Sequence, residues 1–177
     1  PDKQQDQDDE SAAQRPRYAT DTPSALISPE RAYQLNDSRR TALLQKAIQL
    51  ALQVKGKDAV LLDLSDFSLC AGLAAVNGAT NVYSVESSSG TLPMTAARVA
   101  QIGNNLRREN ARVDILQCHA EQLTLELFEG APAAIVVAEP YYEILEGWNL
   151  QEALNYYYLV RALRGRGVVS PTACVVP

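Results

Sequence analysis

Four short apolar segments, each closed or soon followed by an acidic residue, constrain this sequence more than any other feature. They are residues 59–64 (AVLLDL), 81–86 (NVYSVE), 113–118 (VDILQC) and 133–139 (AAIVVAE). Apolar runs of this length are typical of strands buried on both faces of a sheet. Longer segments with helical spacing separate them. The sequence therefore predicts an α/β fold with a mostly parallel sheet, right-handed crossovers and helices on both faces.

The clearest helix precedes the first of these strands. It begins near Ser38, and its apolar residues recur at helical spacing until Gly56, a residue typical of helix ends. The recurring residues are Leu43, Leu44, Ala47, Ile48, Ala51 and Leu52. Further helices are predicted between the first two strands, over residues 95–108, near 122–128 and over 150–163.

Length and composition indicate one domain preceded by a tail. The chain has 177 residues, of which 46% are hydrophobic, enough for one substantial core. Residues 1–29 are acidic and polar, with almost no large apolar side chain, and we expect a disordered tail or linker there. The folded domain is predicted over residues 30–167.

Charge and cysteine usage limit the classes of partner. A net charge of -5 disfavours direct nucleic-acid binding and favours attraction of arginine-rich polypeptides. Three cysteines lie far apart without metal-ligand spacing, which argues against both a disulfide framework and a zinc site, so no metal is expected. No apolar run reaches membrane-spanning length, and we expect a soluble intracellular protein with no membrane partner.

Carboxylates stand at or just beyond the end of each predicted strand: Asp63, Glu86, Glu121 and Glu139. In an open parallel sheet, ligands bind outside the carboxyl ends of the strands, where the strand order switches. Glu86 is placed to accept both hydroxyls of a ribose. Each acid could instead stabilise the positive end of the following helix, and the sequence leaves this alternative open.

Five motifs extend this pattern to a known family. They are LNDSRR (35–40), LLDL (61–64), VESS (85–88), HAEQL (119–123) and AEPYY (138–142). In order and spacing they resemble the motifs of the protein arginine methyltransferases, over about residue 33 to the last residue. The resemblance implies a Rossmann-like methyltransferase fold that binds S-adenosylmethionine, with a β-barrel region beginning over residues 168–177.

The same resemblance implies roles for individual residues. Arg40 would pair with the methionine carboxylate of the cofactor, Glu86 would hold its ribose, and Glu121 would lie at its adenine. Asp63 completes the cofactor-binding set at the end of the first strand. Glu139 corresponds to the first of two catalytic glutamates that hold the substrate guanidinium.

Departures from the family pattern are as informative as the matches. A working cofactor loop after the first strand has three alternating glycines, because the backbone must approach the ligand closely. Here Ser65, Phe67 and Leu69 occupy those places, and Trp148 replaces the second catalytic glutamate. With a single carboxylate, a substrate guanidinium would lack one of its two acidic hydrogen-bond partners.

These departures resemble the second, catalytically degenerate copy in family members that are built of two tandem modules. The resemblance implies an inactive module of a type III, monomethylating enzyme. Its partner would be the active module of the same protein, and the parent would methylate arginine in proteins such as histones, in the cytoplasm and nucleus. A divergent cofactor-binding methyltransferase and a non-catalytic nucleoside sensor remain the alternatives.

Three further features have a structural and a functional interpretation. His119, the only histidine, could be a general base, but a residue at or near the surface is the simpler interpretation because no nucleophile pairs with it. Cys70 and Cys118 are expected to fill the core rather than react. The aromatic run 156–158 could stack on a substrate, and packing against another domain is the alternative.

Overall fold

The computed structural model describes residue 33 and residues 36–65, 68–86, 113–138 and 150–176. The helix predicted over residues 95–108 lies outside these ranges. In chain order the elements are α1 (Ser38–Lys55), β1 (Leu61–Asp63), α2 (Leu69–Val76), β2 (Val82–Val85), β3 (Val113–Leu116), two 3₁₀ helices (Ala120–Gln122 and Leu125–Phe128), β4 (Ala133–Val137), α3 (Leu150–Gly165) and β5 (Val169–Val176).

The strands form one parallel sheet of five, in the order β3-β2-β1-β4-β5. The order reverses between β1 and β4, which is the position where open α/β sheets bind ligands beyond their strand ends. All four strands predicted from the apolar segments are present. The predicted α/β, Rossmann-like class is therefore confirmed.

Helix α1 begins and ends where its sequence signals predict. The Asp37 side chain accepts a hydrogen bond from the Arg40 amide at 3.0 Å, and Gly56 ends the helix at φ 90°. Ile48 is fully buried against the sheet, whereas Leu43 is 61% exposed. Leu43 stands five residues from Ile48 and so points to a different side of the helix, despite belonging to the same periodic series.

Two apolar layers cover the two faces of the sheet. On one face, side chains of α1 and α2 pack on Leu61, Val82 and Ile135. On the other face, α3 and the second 3₁₀ helix pack on neighbouring strand residues, with Phe128 and Leu163 fully buried. Burial on both faces explains why the strand sequences are continuously apolar. No helix within the described ranges is long and apolar enough to cross a membrane.

Strand β5 adds a fifth strand to the sheet beside β4. Residues Val169–Val176 pair in parallel with β4, within the stretch 168–177 where the resemblance predicts that a β-barrel region begins; the predicted domain bounds stay predictions. The register slips between Ala133 and Ile135, which pair with Val169 and Cys174, so β5 carries extra residues there. A strand with Pro171 inside it is compatible with this irregular edge position.

Candidate functional site at the ends of β1 and β2

The candidate site lies where β1 and β2 end beside the first turn of α2. Asp63 is the last residue of β1, and its register partner on β2 is Ser84. Glu86 follows β2 directly, and its amide donates to the Leu116 carbonyl at 3.0 Å. Asp63, Ser84 and Glu86 are all buried, with at most 1% of each residue exposed. Polar side chains buried this deeply require hydrogen-bond partners.

The chain supplies partners for Asp63 from the loop that follows it. One carboxylate oxygen accepts from the Ser65 amide at 2.8 Å and from the Ser65 hydroxyl. The other accepts from the Ala71 amide at 2.6 Å. Ala71 is the third residue of α2, so Asp63 caps this helix from the preceding strand. At Asp63 the structure therefore shows the capping role that the sequence left open.

Burial also changes the acidity of Asp63. Loss of solvent raises the pKa of Asp63 to about 7, against the lowering effect of the bonds from Ser65 and Ala71. The nearby carboxylate of Glu86 raises it further. Asp63 thus changes its protonation near neutral pH, and the two buried acids are close enough to influence each other.

Ser68 joins the two strand ends through its side chain. Its hydroxyl donates to Glu86 Oε1 at 2.8 Å and accepts from the Ser84 hydroxyl at 2.7 Å. Ser68 is 2% exposed and adopts φ 53°, a left-handed conformation that is costly for a residue with a Cβ. It stands at the N-cap position of α2 but makes no side-chain cap bond, because Asp63 has taken that role.

These contacts affect whether a ribose hydroxyl could hydrogen-bond to Glu86. A ribose hydroxyl bound at Glu86 Oε1 would have to donate a hydrogen bond from the place that the Ser68 hydroxyl holds. The Ser65 side chain, where the family pattern has glycine, is turned onto Asp63 and buried. As placed, Ser65 and Ser68 engage Asp63 and Glu86 Oε1 in hydrogen bonds within the protein.

None of the hydrogen bonds described above for Asp63, Ser68 and Glu86 involves Arg40 or Glu121. Arg40 lies half-buried in the first turn of α1. Glu121 lies exposed in the first 3₁₀ helix, and its main-chain carbonyl accepts from Arg166 Nη1 at 2.6 Å. Glu139, Phe67 and Trp148 lie outside the described residues, so their predicted roles stay predictions.

Tyr156 on α3 is a neighbour of the site that its sequence context does not reveal. Burial raises the pKa of the Tyr156 hydroxyl, and charges on Asp63 and Cys70 raise it further, while Arg164 lowers it. Within the described part of the chain this buried hydroxyl has no hydrogen-bond partner. Of the aromatic run, only Tyr157 and Tyr158 are exposed, at 57% and 58%.

Ser68 and Ser84 are the residues that sequence reasoning missed. Ser84 could have been noticed as a polar residue inside an otherwise apolar strand, opposite Asp63. The left-handed backbone of Ser68 has no signal in the sequence, since glycine or asparagine is the residue expected there. His119 is exposed, and no group of three or more histidine, cysteine or acidic side chains suited to a metal occurs among the described residues.

Comparison with known proteins gives one informative relative. The chain is 29% identical over 145 residues to protein arginine N-methyltransferase 7 of Danio rerio. The match covers 81% of this chain and 19% of the relative. No protein-family model matches the chain.

Proposed function

Because the chain is related to the protein arginine N-methyltransferases, we propose that it is the non-catalytic module of a type III enzyme of that family. In this proposal it corresponds to the C-terminal, degenerate module of protein arginine methyltransferase 7. In this proposal the parent protein transfers a methyl group from S-adenosylmethionine to arginine in proteins such as histones. This module packs against the active module and stabilises it.

The observation that carries the proposal is the internal hydrogen bonding of the two strand-end acids. Asp63 is held by Ser65 and Ala71, and Glu86 Oε1 is held by Ser68. A cofactor group placed at Asp63 or at Glu86 Oε1 would have to displace these buried bonds before making its own. Such an exchange gives little net binding energy, because hydrogen bonds are replaced rather than added.

The net charge and the family resemblance support the proposed substrates, compartment and partner. A net charge of -5 supports attraction of arginine-rich substrates toward the parent protein. The family resemblance supports action in the cytoplasm and nucleus. A partner module, rather than a nucleic acid or membrane, is the proposed binding partner.

Calorimetric titration of the purified chain with S-adenosylmethionine tests the non-catalytic assignment. We expect no saturable heat at millimolar ligand and no transfer of labelled methyl to a histone-tail peptide. Saturable binding with methyl transfer would instead identify a divergent methyltransferase. Saturable binding without transfer, abolished by Glu86→Gln, would identify a nucleoside sensor.

The structural role is tested by adding the active module as a separate polypeptide. The proposal expects the two to co-elute in size-exclusion chromatography and expects the active module to gain activity. Arg166→Ala, which alters only an exposed contact, serves as the matched variant and should behave like the unmodified chain. Separate elution at micromolar concentrations would contradict the structural role.

A further inference from the structure

We infer that the outer surface formed by α3 and the two 3₁₀ helices binds a second copy of this chain in a two-fold symmetric dimer. The exposed side chains of residues 120–130 and 154–166 make up this surface, which we call the α3 face. It lies on the opposite side of the sheet from α1 and α2. The inference goes beyond the proposed function, because it concerns two copies of one chain rather than the pairing of two different modules.

One half of the α3 face is basic and aromatic. Residues 158–167 contain three exposed arginines and no acid, and Tyr157 and Tyr158 are exposed at the start of this stretch. The two tyrosine rings contact each other edge to face, with their centroids 5.5 Å apart. Tyrosine and arginine are enriched among the residues that contribute most to binding at protein interfaces. The arginines are Arg161, Arg164 and Arg166.

The other half of the α3 face is acidic. Residues 120–130 contain three exposed glutamates and no basic residue. Leu127 lies among them with 41% of its surface exposed, so this half also offers an apolar contact. The glutamates are Glu121, Glu126 and Glu129.

The two halves are held side by side by the fold. Phe128 and Leu163 are fully buried beneath them in one apolar cluster, so both halves belong to one layer of the protein. Arg166 Nη1 joins them directly by donating to the Glu121 carbonyl at 2.6 Å. A partner on this layer therefore meets a basic and an acidic region at the same time.

A second copy suits this arrangement because the α3 face is complementary to itself. A two-fold axis between the halves places the basic half of each copy on the acidic half of the other, so that every favourable contact occurs twice. The exposed tyrosines of one copy then lie toward Leu127 of the second copy. The net charge of -5 opposes association, but salt screens this repulsion beyond about 8 Å at physiological ionic strength.

The experiment measures the mass of the full chain by sedimentation at concentrations from roughly 1 to 500 µM, where a small interface is expected to associate. We expect a reversible dimer whose affinity falls as salt is raised. Arg161→Glu and Glu126→Arg should each weaken the dimer at least about tenfold, because each variant brings like charges together twice.

Rescue by charge exchange tests whether the two halves face each other. A mixture of Arg161→Glu with Glu126→Arg should form heterodimers, because each reversed charge then meets its opposite. The double variant that carries both substitutions in one chain should dimerise for the same reason. Lys46→Glu makes the same change of charge as Arg161→Glu at an exposed position of α1 outside the α3 face, and should leave the dimer unchanged. Circular dichroism of each variant reports whether the fold is retained.

Three results would overturn the inference. The first is a monomer over the whole concentration range, and the second is a dimer that neither charge reversal weakens. The third is a dimer that both reversals weaken but that the mixture does not restore. None of these results concerns cofactor binding, so the non-catalytic assignment stands or falls separately by its own titration.

Discussion

The acids at the ends of β1 and β2 are buried and hydrogen-bonded, whereas the acid beyond β3 lies at the surface. Asp63 and Glu86 are at most 1% exposed, while Glu121 is exposed and uses only its main-chain carbonyl to contact Arg166. Asp63 is the last residue of β1 and Glu86 directly follows β2, whereas Glu121 lies in the first 3₁₀ helix, five residues after β3 ends. Strand β1 is central and α2 begins over its end, whereas β3 is the edge strand of the described sheet. The two buried acids thus differ from the exposed one both in their distance from the strand end and in the position of their strand in the sheet.

The largest effect should come from removing the acid that caps α2. Asp63→Ala would leave the Ser65 and Ala71 amides buried without their acceptor, and we expect the free energy of unfolding to fall by roughly 2–4 kcal/mol. Urea denaturation measures this loss. Glu121→Ala is the matched control at the exposed strand end, with an expected change within about 0.5 kcal/mol. Equal losses of unfolding free energy in the two variants would show that the buried acid at β1 stabilises the fold no more than the exposed acid beyond β3.

The same acid should make stability depend on pH. Burial raises the pKa of Asp63 from 3.8 to about 7, so between these values the folded chain holds a proton that the unfolded chain has released. This contribution is complete below pH 3.8 and is lost as pH rises through 7. Relative to Asp63→Asn, the free energy of unfolding should fall by roughly 2–4 kcal/mol between pH 4 and pH 8. A difference that stays constant over that range would show that Asp63 is not protonated in the folded chain.

Ser68 is buried and Glu129 is exposed, and both have a left-handed backbone. Substitutions at these two positions separate the cost of the backbone conformation from the contribution of the Ser68 hydroxyl. At Ser68 and at Glu129, glycine should be more stable than alanine by about 1 kcal/mol, because alanine retains the Cβ that opposes a positive φ. Thermal unfolding of the four variants measures both differences. Only at Ser68 should alanine also be less stable than the natural residue through a lost buried hydrogen bond. An identical ranking at both positions would mean that the Ser68 hydroxyl contributes nothing to stability.

The smallest effect is expected at the exposed contact near β3. Arg166→Ala removes a bond to the Glu121 carbonyl that solvent can replace, so the free energy of unfolding should change by less than about 1 kcal/mol. Urea denaturation at low and high salt provides the measurement. A loss of unfolding free energy comparable to that of Asp63→Ala would show that the contact beyond β3 stabilises the fold as much as Asp63 does.

Local patterns were sufficient for most of the fold. The limits of α1 follow from Asp37 and Gly56, and the strands follow from apolar runs that had to be buried on both faces. That β5 joins the parallel sheet could not be predicted, because the sequence of a strand does not specify which sheet it joins. The predicted roles of Arg40, Glu121 and Glu139 remain predictions.

By itself, the sequence determined the α/β class and the positions of the acids, because helix signals and buried strands depend on residues close together in the chain. Only the tertiary structure decided what the acids contact. The Ser68 hydroxyl contacts Glu86, 18 residues away, and Ser84, 16 residues away, from a left-handed turn that no local preference predicts. Hydrogen bonds between distant segments depend on strand register and helix placement, and those are fixed only when the whole core packs.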